Sequence, residues 1–147
     1  MLTLDALHCQ KTTIEAIIKS GNDYCIAVKE NQKNFFEHIQ KHTGKRKPSS
    51  TDIMIEKSHG RYEIRSAHVY GAFYGAKKEW KGVRSIVVVR RVRREYKKGG
   101  RKEHSAPDMK QEIAYYISSL RFPPPQTQMS LMPAFDPIGR LKTHCIG

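Results

Sequence analysis

A chain of 147 residues is long enough to bury one hydrophobic core and too short for two, so a single folded domain is the first expectation. Its 27 lysines and arginines against 14 acidic residues give a net charge of +13. This excess favours a polyanionic partner, nucleic acid first and an anionic membrane surface second. The longest aliphatic run, Ile86 to Val89, has four residues, far fewer than the roughly 20 that span a bilayer.

The first residues and the cysteines suggest where the chain works. Met1 to Asp5 lack the charged and apolar regions of a signal peptide, so we expect a cytoplasmic protein without a membrane segment. Cys9, Cys25 and Cys145 are odd in number and lack metal-type spacing. This argues against a disulfide framework and against structural zinc, and we expect buried or ordinary thiols.

Apolar residues at helical spacing mark a first helix directly after a short extended start. The helix is expected to begin near residues 10–13, where Thr12 with Glu15 fits a capping box, and to end at Gly21. The extended run 2–4 before it places Asp5 at the carboxyl end of a strand. In open α/β sheets ligands and catalytic groups gather at that end, so Asp5 is the first candidate site residue.

A second strand and a second helix follow in the same part of the chain. Residues 24–29 are mostly apolar on both faces, as expected of a parallel strand covered by helices. The second helix is expected to run from Asn31, as its cap, to His42. The basic segment 41–50 has no core-forming residue and predicts a linker that ends this first part, residues 1–43.

Beyond the linker the pattern changes from helical spacing to alternation, which predicts a β-rich part over residues 51–120. Two strands joined at residues 59–60 are followed by a third at 85–92 and a fourth at 111–120. Residues 121–147 contain three consecutive prolines and two further ones. We expect this segment to be a disordered tail, unrelated to the part before it.

Two interpretations are open for Asp5. In the first, its carboxylate accepts backbone N–H groups where the strand turns into a helix, and the residue alone favours this one. In the second, Asp5 binds a metal ion, which needs further oxygen ligands because hard divalent ions take several. Glu30, at the end of the next strand, is either such a ligand or a solvated residue at a helix start.

The strand around residue 63 carries charged side chains on one face. Alternation puts Arg61, Glu63 and Arg65 on that face, and Tyr62 and Ile64 on a packed face. The charged row is either an ordinary solvated face held by ion pairs, or guanidinium groups set against phosphates with Glu63 orienting them. The spacing leaves both interpretations open.

A second basic segment, residues 90–102, holds eight cations and one acid. Charge runs usually form solvated hairpin tips, but here the excess extends over the whole chain and favours contact with a nucleic-acid backbone. Trp80, Tyr115 and Tyr116 could stack on bases, although core packing is the expected role of each. The candidate nucleic-acid-binding residues are Arg61, Arg65, Arg90, Arg91, Arg93, Arg94, Lys97 and Lys98.

Four ordered segments, residues 2–11, 21–32, 58–65 and 115–120, together resemble DDE transposases of bacterial insertion sequences. The resemblance is to the branch whose copies are called H-repeat-associated proteins, and it covers roughly residues 1–120. It implies an α/β fold: a ribonuclease H-like catalytic domain with a β-rich insertion, acting on double-stranded DNA. In this family two Asp and one Glu hold two Mg²⁺ ions, and the second Asp matches Asp5.

The departures from the family pattern imply a truncated, partial ribonuclease H-like fold. The first family Asp would precede Met1, and the family Glu lies in a Trp-x-Ile-Glu-Asn stretch that this chain lacks after Trp80. Asp136, the one acid after Leu120, does not match it. We therefore expect a fragment with one catalytic carboxylate, inactive alone, with an exposed sheet edge open to self-association. The alternative is a non-catalytic, basic DNA-binding remnant.

Overall fold

A computed structural model describes residues 1–58, 61–95 and 108–121. Its strands are β1 (Leu2–Leu4), β2 (Tyr24–Val28), β3 (Ser50–Ser58), β4 (Arg61–Gly71), β5 (Ser85–Glu95) and β6 (Asp108–Ser118). Its α-helices are α1 (Lys11–Lys19), α2 (Lys33–Lys45) and α3 (Tyr74–Glu79), and two 3₁₀ turns occupy Ala6–His8 and Glu30–Gln32. The strands form one six-stranded sheet in the order β1-β2-β6-β5-β4-β3. The predicted α/β class is confirmed.

The parallel pair at one edge of the sheet follows from the hydrophobic run in β2. All five residues of β2 are buried, as expected of a strand packed on both faces. β1 pairs with β2 in parallel, with Leu2 opposite Tyr24 and Leu4 opposite Ile26. The other neighbouring strands in the sheet pair antiparallel. The two predicted N-terminal strands are therefore confirmed, and Asp5 directly follows the edge strand β1.

The apolar stripes of the helices pack on one side of the sheet, which we call the helix face. This core joins buried residues of all three helices to alternate residues of the central strands, among them Ile14, Ile17, Phe35, Ile39, Ala76, Ile26, Ile86 and Ile117. Trp80 is 1% exposed and stacks on Phe35 with ring centroids 4.8 Å apart. Trp80 is therefore a core residue, as expected, and is not available to a nucleic-acid base.

The predicted starts of α1 and α2 and the predicted stop of α1 were close, but the predicted caps were wrong. α1 begins at Lys11 after Gln10, which makes no side-chain cap hydrogen bond, so the capping box proposed for Thr12 does not form the start. Gly21 adopts φ +76° just after the helix, the left-handed conformation that glycine allows at a helix end. Asn31 does not cap α2 but donates its side-chain amide to the carbonyl oxygen of Ala6 at 2.6 Å.

The second half of the chain forms the predicted strands with one addition. α2 continues to Lys45, because Thr43 is buried and donates its hydroxyl to the Ile39 carbonyl, so the predicted linker is shorter than residues 41–50. Helix α3 was not predicted. The turn at residues 59–60 and the tail from residue 122 lie outside the described residues. Within the described ranges, none of the helices is both long and apolar enough to cross a membrane.

The strands β4, β5 and β6 extend beyond the end of β2. Val28, the last residue of β2, lies opposite Tyr115, which in turn lies opposite Val88. From this level β5 continues to Glu95 between β4 and β6. We call the part of β3 to β6 past Tyr115 and Val88 the outer half of the sheet. It projects from the end of the parallel pair at which Asp5 lies.

Candidate functional site

Asp5 occupies the carboxyl end of β1 and caps the turn that follows. Its Oδ1 accepts the backbone N–H of Ala6 at 2.7 Å, at the start of the 3₁₀ turn. The same Oδ1 lies 3.7 Å from Nζ of Lys29, which follows β2. The Asp5 side chain is 67% exposed. Its position agrees with the sequence prediction, and its hydrogen bond agrees with the structural interpretation, in which the carboxylate accepts a backbone N–H group.

The residues around Asp5 offer few further oxygen ligands for a metal ion. Glu30, the proposed partner, is exposed at the start of the second 3₁₀ turn, and the neighbouring Lys29 is the residue that pairs with Asp5. Within residues 1–58, 61–95 and 108–121, no group of three or more His, Cys, Asp or Glu side chains could hold a metal ion. Mg²⁺ takes several oxygen ligands. The described residues alone therefore do not fit a two-metal site.

The most buried charged group of the sheet is Glu63, on the face opposite the helices. Its carboxylate accepts the Nε–H of Arg65, and it meets Arg91 through two contacts, Nε to Oε1 at 2.9 Å and Nη2 to Oε2 at 3.1 Å. Arg93 adds a contact from Nε to Oε2 at 3.2 Å. Glu56 and Glu112 extend the network to Arg65 and Arg91, respectively. We call this side the arginine face.

The network determines the ionisation of its central carboxylate. Burial alone would raise the pKa of Glu63, but hydrogen bonds from Arg91 and Arg65, together with their positive charges, lower the pKa to about 2. The same contacts raise the pKa of Arg91. Glu63 is therefore ionised over the physiological pH range, and its negative charge is matched by the arginines around it.

The predicted basic residues divide into three sets. Arg65, Arg91 and Arg93 are largely buried, with side chains 10%, 11% and 28% exposed, and all three contact Glu63. Arg61, Arg90 and Arg94 are exposed. Lys97 and Lys98 lie outside the described residues. The expectation that Tyr62 and Ile64 would point to the more packed face was wrong, because both are half-buried whereas Glu63 and Arg65 are buried.

The two faces of the outer half differ in charge. Each Asp or Glu of β3 to β6 whose side chain is described lies on the arginine face, as alternation and strand pairing show: Asp52, Glu56, Glu63 and Glu112. The described cations of the helix face in this half are Lys57, Arg90 and Arg94, and all three are exposed. The helix face of the outer half therefore carries unbalanced positive charge.

Sequence reasoning missed two features of this helix face. Lys57 lies opposite Tyr62, with its Nζ 5.5 Å from the ring centroid. His68 lies on the same face, and its pKa is lowered by burial and by the charge of Arg90. Both features depend on which strands pair and in which register, so local spacing carries no signal for them.

The tyrosines proposed to stack on bases have packing partners. Tyr115 makes an edge-to-face contact with Phe36 of α2, with ring centroids 5.2 Å apart. Tyr116 is 6% exposed and packs on the arginine face with Val87 and Val89. Core packing, the expected role of each tyrosine, is confirmed.

Comparison with known proteins finds relatives among bacterial proteins, while no protein-family model and no solved structure matches. The chain is 36% identical over 129 residues to YbfL of Escherichia coli K12, which covers 81% of this chain and 32% of that protein. It is 35% identical over 129 residues to the "H repeat-associated putative transposase YhhI" of the same strain, with 81% and 32% covered. It is 31% identical over 126 residues to the "Putative transposase YncI" of Escherichia coli O157:H7, with 81% and 30% covered.

These relatives are much longer than this chain, which spans about a third of their length. The aligned region covers about four fifths of the chain. The chain is therefore similar to proteins named as transposases, over most of its own sequence and a limited part of theirs.

Proposed function

We propose that this chain is part of the catalytic domain of a DDE transposase of the H-repeat-associated branch, with a partial ribonuclease H-like fold. The position of Asp5 carries the proposal: an exposed carboxylate at the carboxyl end of the edge strand of a parallel pair, within a chain similar to transposase-named proteins. In open α/β sheets this is the end at which reacting groups assemble. Asp5 is then the second of the three family carboxylates.

Catalysis needs ligands that the described residues do not provide. One exposed carboxylate that caps a turn and pairs with Lys29 binds a divalent ion weakly, because hard cations need several oxygen donors. The chain alone is therefore proposed to be inactive in DNA cleavage and strand transfer. Double-stranded DNA is its proposed partner, since transposition joins transposon ends to target DNA. The proposed location is the cytoplasm.

The exposed cations of the outer half are proposed to contact the DNA backbone. Arg61, Arg90 and Arg94 are exposed and lie on strands that project from the Asp5 end of the sheet. These strands therefore extend towards a duplex that lies over Asp5. Contacts of this kind position a protein on DNA without reading the base sequence, and they weaken steeply with salt.

The test combines binding with a metal probe. Duplex DNA should bind the full chain at low salt, measured by fluorescence anisotropy, and Mg²⁺ should support no nicking of a supercoiled plasmid. Mn²⁺ titrated into the labelled protein should broaden the Ala6 amide resonance selectively, because Ala6 donates to the Asp5 carboxylate. Asp5→Asn should remove that broadening, while Glu15→Gln, a change at an exposed acid on α1, should leave it intact.

A second candidate, the non-catalytic DNA-binding remnant, is favoured by the absence of a metal-binding cluster among the described residues. It predicts DNA binding that is indifferent to Mg²⁺ and Mn²⁺, and no selective broadening at Ala6. Plasmid cleavage that Asp5→Asn abolishes would overturn the proposed inactivity. Failure to bind duplex DNA at low salt would overturn both candidates.

A further inference from the structure

The helix face of the outer half is an apolar surface that the three described helices leave exposed. Phe36 of α2 contacts Tyr115 of β6 at the level where the outer half begins. Two residues earlier on the same strand and face, Ile113 is 43% exposed. On the same face, Ile53, Ile55 and Met109 are each more than half exposed.

A contiguous apolar patch runs across β3, β4 and β5, and Ile113 and Met109 of β6 lie beside it, on either side of Gln111. Pairing places Ile55 opposite Ile64 and Ile64 opposite Val92, so their side chains lie side by side on the helix face. Single exposed apolar residues are ordinary on protein surfaces, but a contiguous group on one face is typical of an interaction site. The patch is therefore a candidate interaction surface.

The described charged side chains at the rim of the patch are all basic. Lys57 on β3 and Arg90 and Arg94 on β5 flank the patch, and the described acids of these strands lie on the opposite face. An apolar centre with a basic rim is complementary to an amphipathic helix with an apolar stripe flanked by acidic residues. Four strands about 4.8 Å apart span roughly 14 Å between the outer two, which accommodates one helix about 10 Å wide.

We propose that the helix face of the outer half binds an acidic amphipathic helix supplied by a partner protein. This surface goes beyond the proposed function, because it needs neither Asp5 nor a metal ion.

Sequences within this chain do not match the chemistry of the patch. The tail, residues 121–147, contains three lysines and arginines and a single acid, Asp136. A second copy of the chain would bring the same basic rim and a net charge of +13 against the first. Both would repel the cations around the patch. Neither the tail nor a second copy is therefore the expected source of the helix, and an acidic partner protein is.

A nucleic acid is a poorer fit to the centre of this surface. Interfaces with nucleic acids are polar and strongly basic, and a phosphate backbone gains nothing from large aliphatic side chains. Ile53 and Ile55 are exposed on the edge strand β3. A duplex that contacts this face would have to cover both aliphatic side chains. The basic rim alone could meet phosphates, so duplex DNA is the competing ligand to include in the test.

The test uses the full chain and two synthetic peptides of about 18 residues, long enough to form a helix. Both carry the same leucine stripe at helical spacing, one with glutamates and the other with lysines at the remaining positions. The acidic peptide should bind with a salt-dependent affinity, measured by fluorescence anisotropy, and the basic peptide should bind at least tenfold more weakly.

Three variants locate the site. Ile53→Ser with Ile55→Ser should weaken acidic-peptide binding at least tenfold and change duplex DNA affinity less than twofold. Arg94→Glu should weaken peptide binding, whereas Lys110→Glu, an exposed change on the arginine face, should not. Because all four residues are exposed, circular dichroism should show folded protein in each case.

Three results would overturn the proposal. Equal binding of the acidic and basic peptides would indicate nonspecific apolar adhesion, and loss of DNA binding in the double serine variant would assign the patch to DNA. A dimer that the double serine variant dissociates, seen by sedimentation, would assign the patch to a second copy. Peptide binding without DNA binding would leave this inference standing and remove the proposed DNA partner, so the two proposals fail separately.

Discussion

Glu63 of β4 and Arg91 of β5 are diagonal neighbours on adjacent strands and join through two contacts, at 2.9 Å and 3.1 Å, on the face opposite the helices. Arg65 and Arg93 contact the same carboxylate. A carboxylate this buried is stabilised only if its partners stay in place, because removing one side leaves uncompensated charge in the sheet. Arg65, Arg91 and Arg93, which were predicted to contact phosphates, are therefore structural partners of one glutamate.

The first prediction concerns the centre of this network. Glu63→Gln should lower the free energy of unfolding at pH 7 by about 3 kcal/mol, because it leaves three arginines without their common negative charge. Chemical denaturation followed by circular dichroism measures the change. Glu56→Gln is the control: Glu56 is 54% exposed and contacts one arginine, so its loss should cost about 0.5 kcal/mol or less. Equal effects of the two substitutions would contradict a central role for Glu63.

The second prediction is the pH dependence of stability. The pKa of Glu63 is lowered from 4.5 to about 2, so the folded state holds the carboxylate ionised where the unfolded state takes up a proton. The stability from Glu63 is therefore fully present above pH 4.5 and is lost as the pH falls towards 2. Denaturation midpoints measured from pH 6 to pH 2 should fall less steeply in Glu63→Gln than in the unmodified chain. Parallel curves would show that Glu63 does not contribute to acid sensitivity.

Local sequence patterns predicted the helices and strands of this fold better than the contacts that side chains make on each face of the sheet. The apolar run of β2 and the spacing of Ile14 and Ile17 contain enough information to predict a buried strand beside an amphipathic helix. Helix α3 was missed because six residues make a single turn and a half, too short for a periodic pattern. The start of α1 fell within the predicted residues 10–13, but its cap was wrongly assigned because Gln10, at the actual cap position, makes no side-chain cap hydrogen bond that could mark it.

The candidate site was only partly predictable, because some of its contacts join residues that are far apart in the sequence. Alternation correctly put Arg61, Glu63 and Arg65 on one face, but two of the three arginine partners of Glu63 come from β5, about thirty residues later. Their register cannot be read from either strand alone, so the sequence could not decide between an ion-paired face and a phosphate-binding row. The position of Asp5 was predictable because it depends on one strand end and its neighbouring parallel strand.

The third prediction separates DNA contacts from structural contacts. Arg94→Ala should weaken duplex DNA binding and lower its salt dependence without changing the unfolding midpoint, because Arg94 is exposed. Arg91→Ala should lower stability by about 3 kcal/mol, because the buried Glu63 loses the arginine that makes two contacts with it and Glu112 loses its contact with Arg91. Anisotropy and denaturation on both variants make the comparison. A large stability loss in Arg94→Ala, or unchanged stability in Arg91→Ala, would contradict this division.

The fourth prediction concerns the two described thiols. Cys9 belongs to the core on the helix face and Cys25 to the cluster on the opposite face, and burial raises the pKa of each to about 12. Both are therefore protonated at pH 8, and the thiolate is the reactive form. In a Cys145→Ser variant, Ellman's reagent at pH 8 should leave the native protein unlabelled.

Denaturation provides the control for that experiment. After unfolding in guanidinium chloride, the same Cys145→Ser variant should release two equivalents of the coloured thiolate, one each from Cys9 and Cys25. Because the two side chains lie on opposite faces of the sheet, local opening of one core should expose one thiol before the other. Rapid labelling of both thiols in the native state would mean that neither face of the sheet is closed to solvent, and would contradict the burial on which the fold rests.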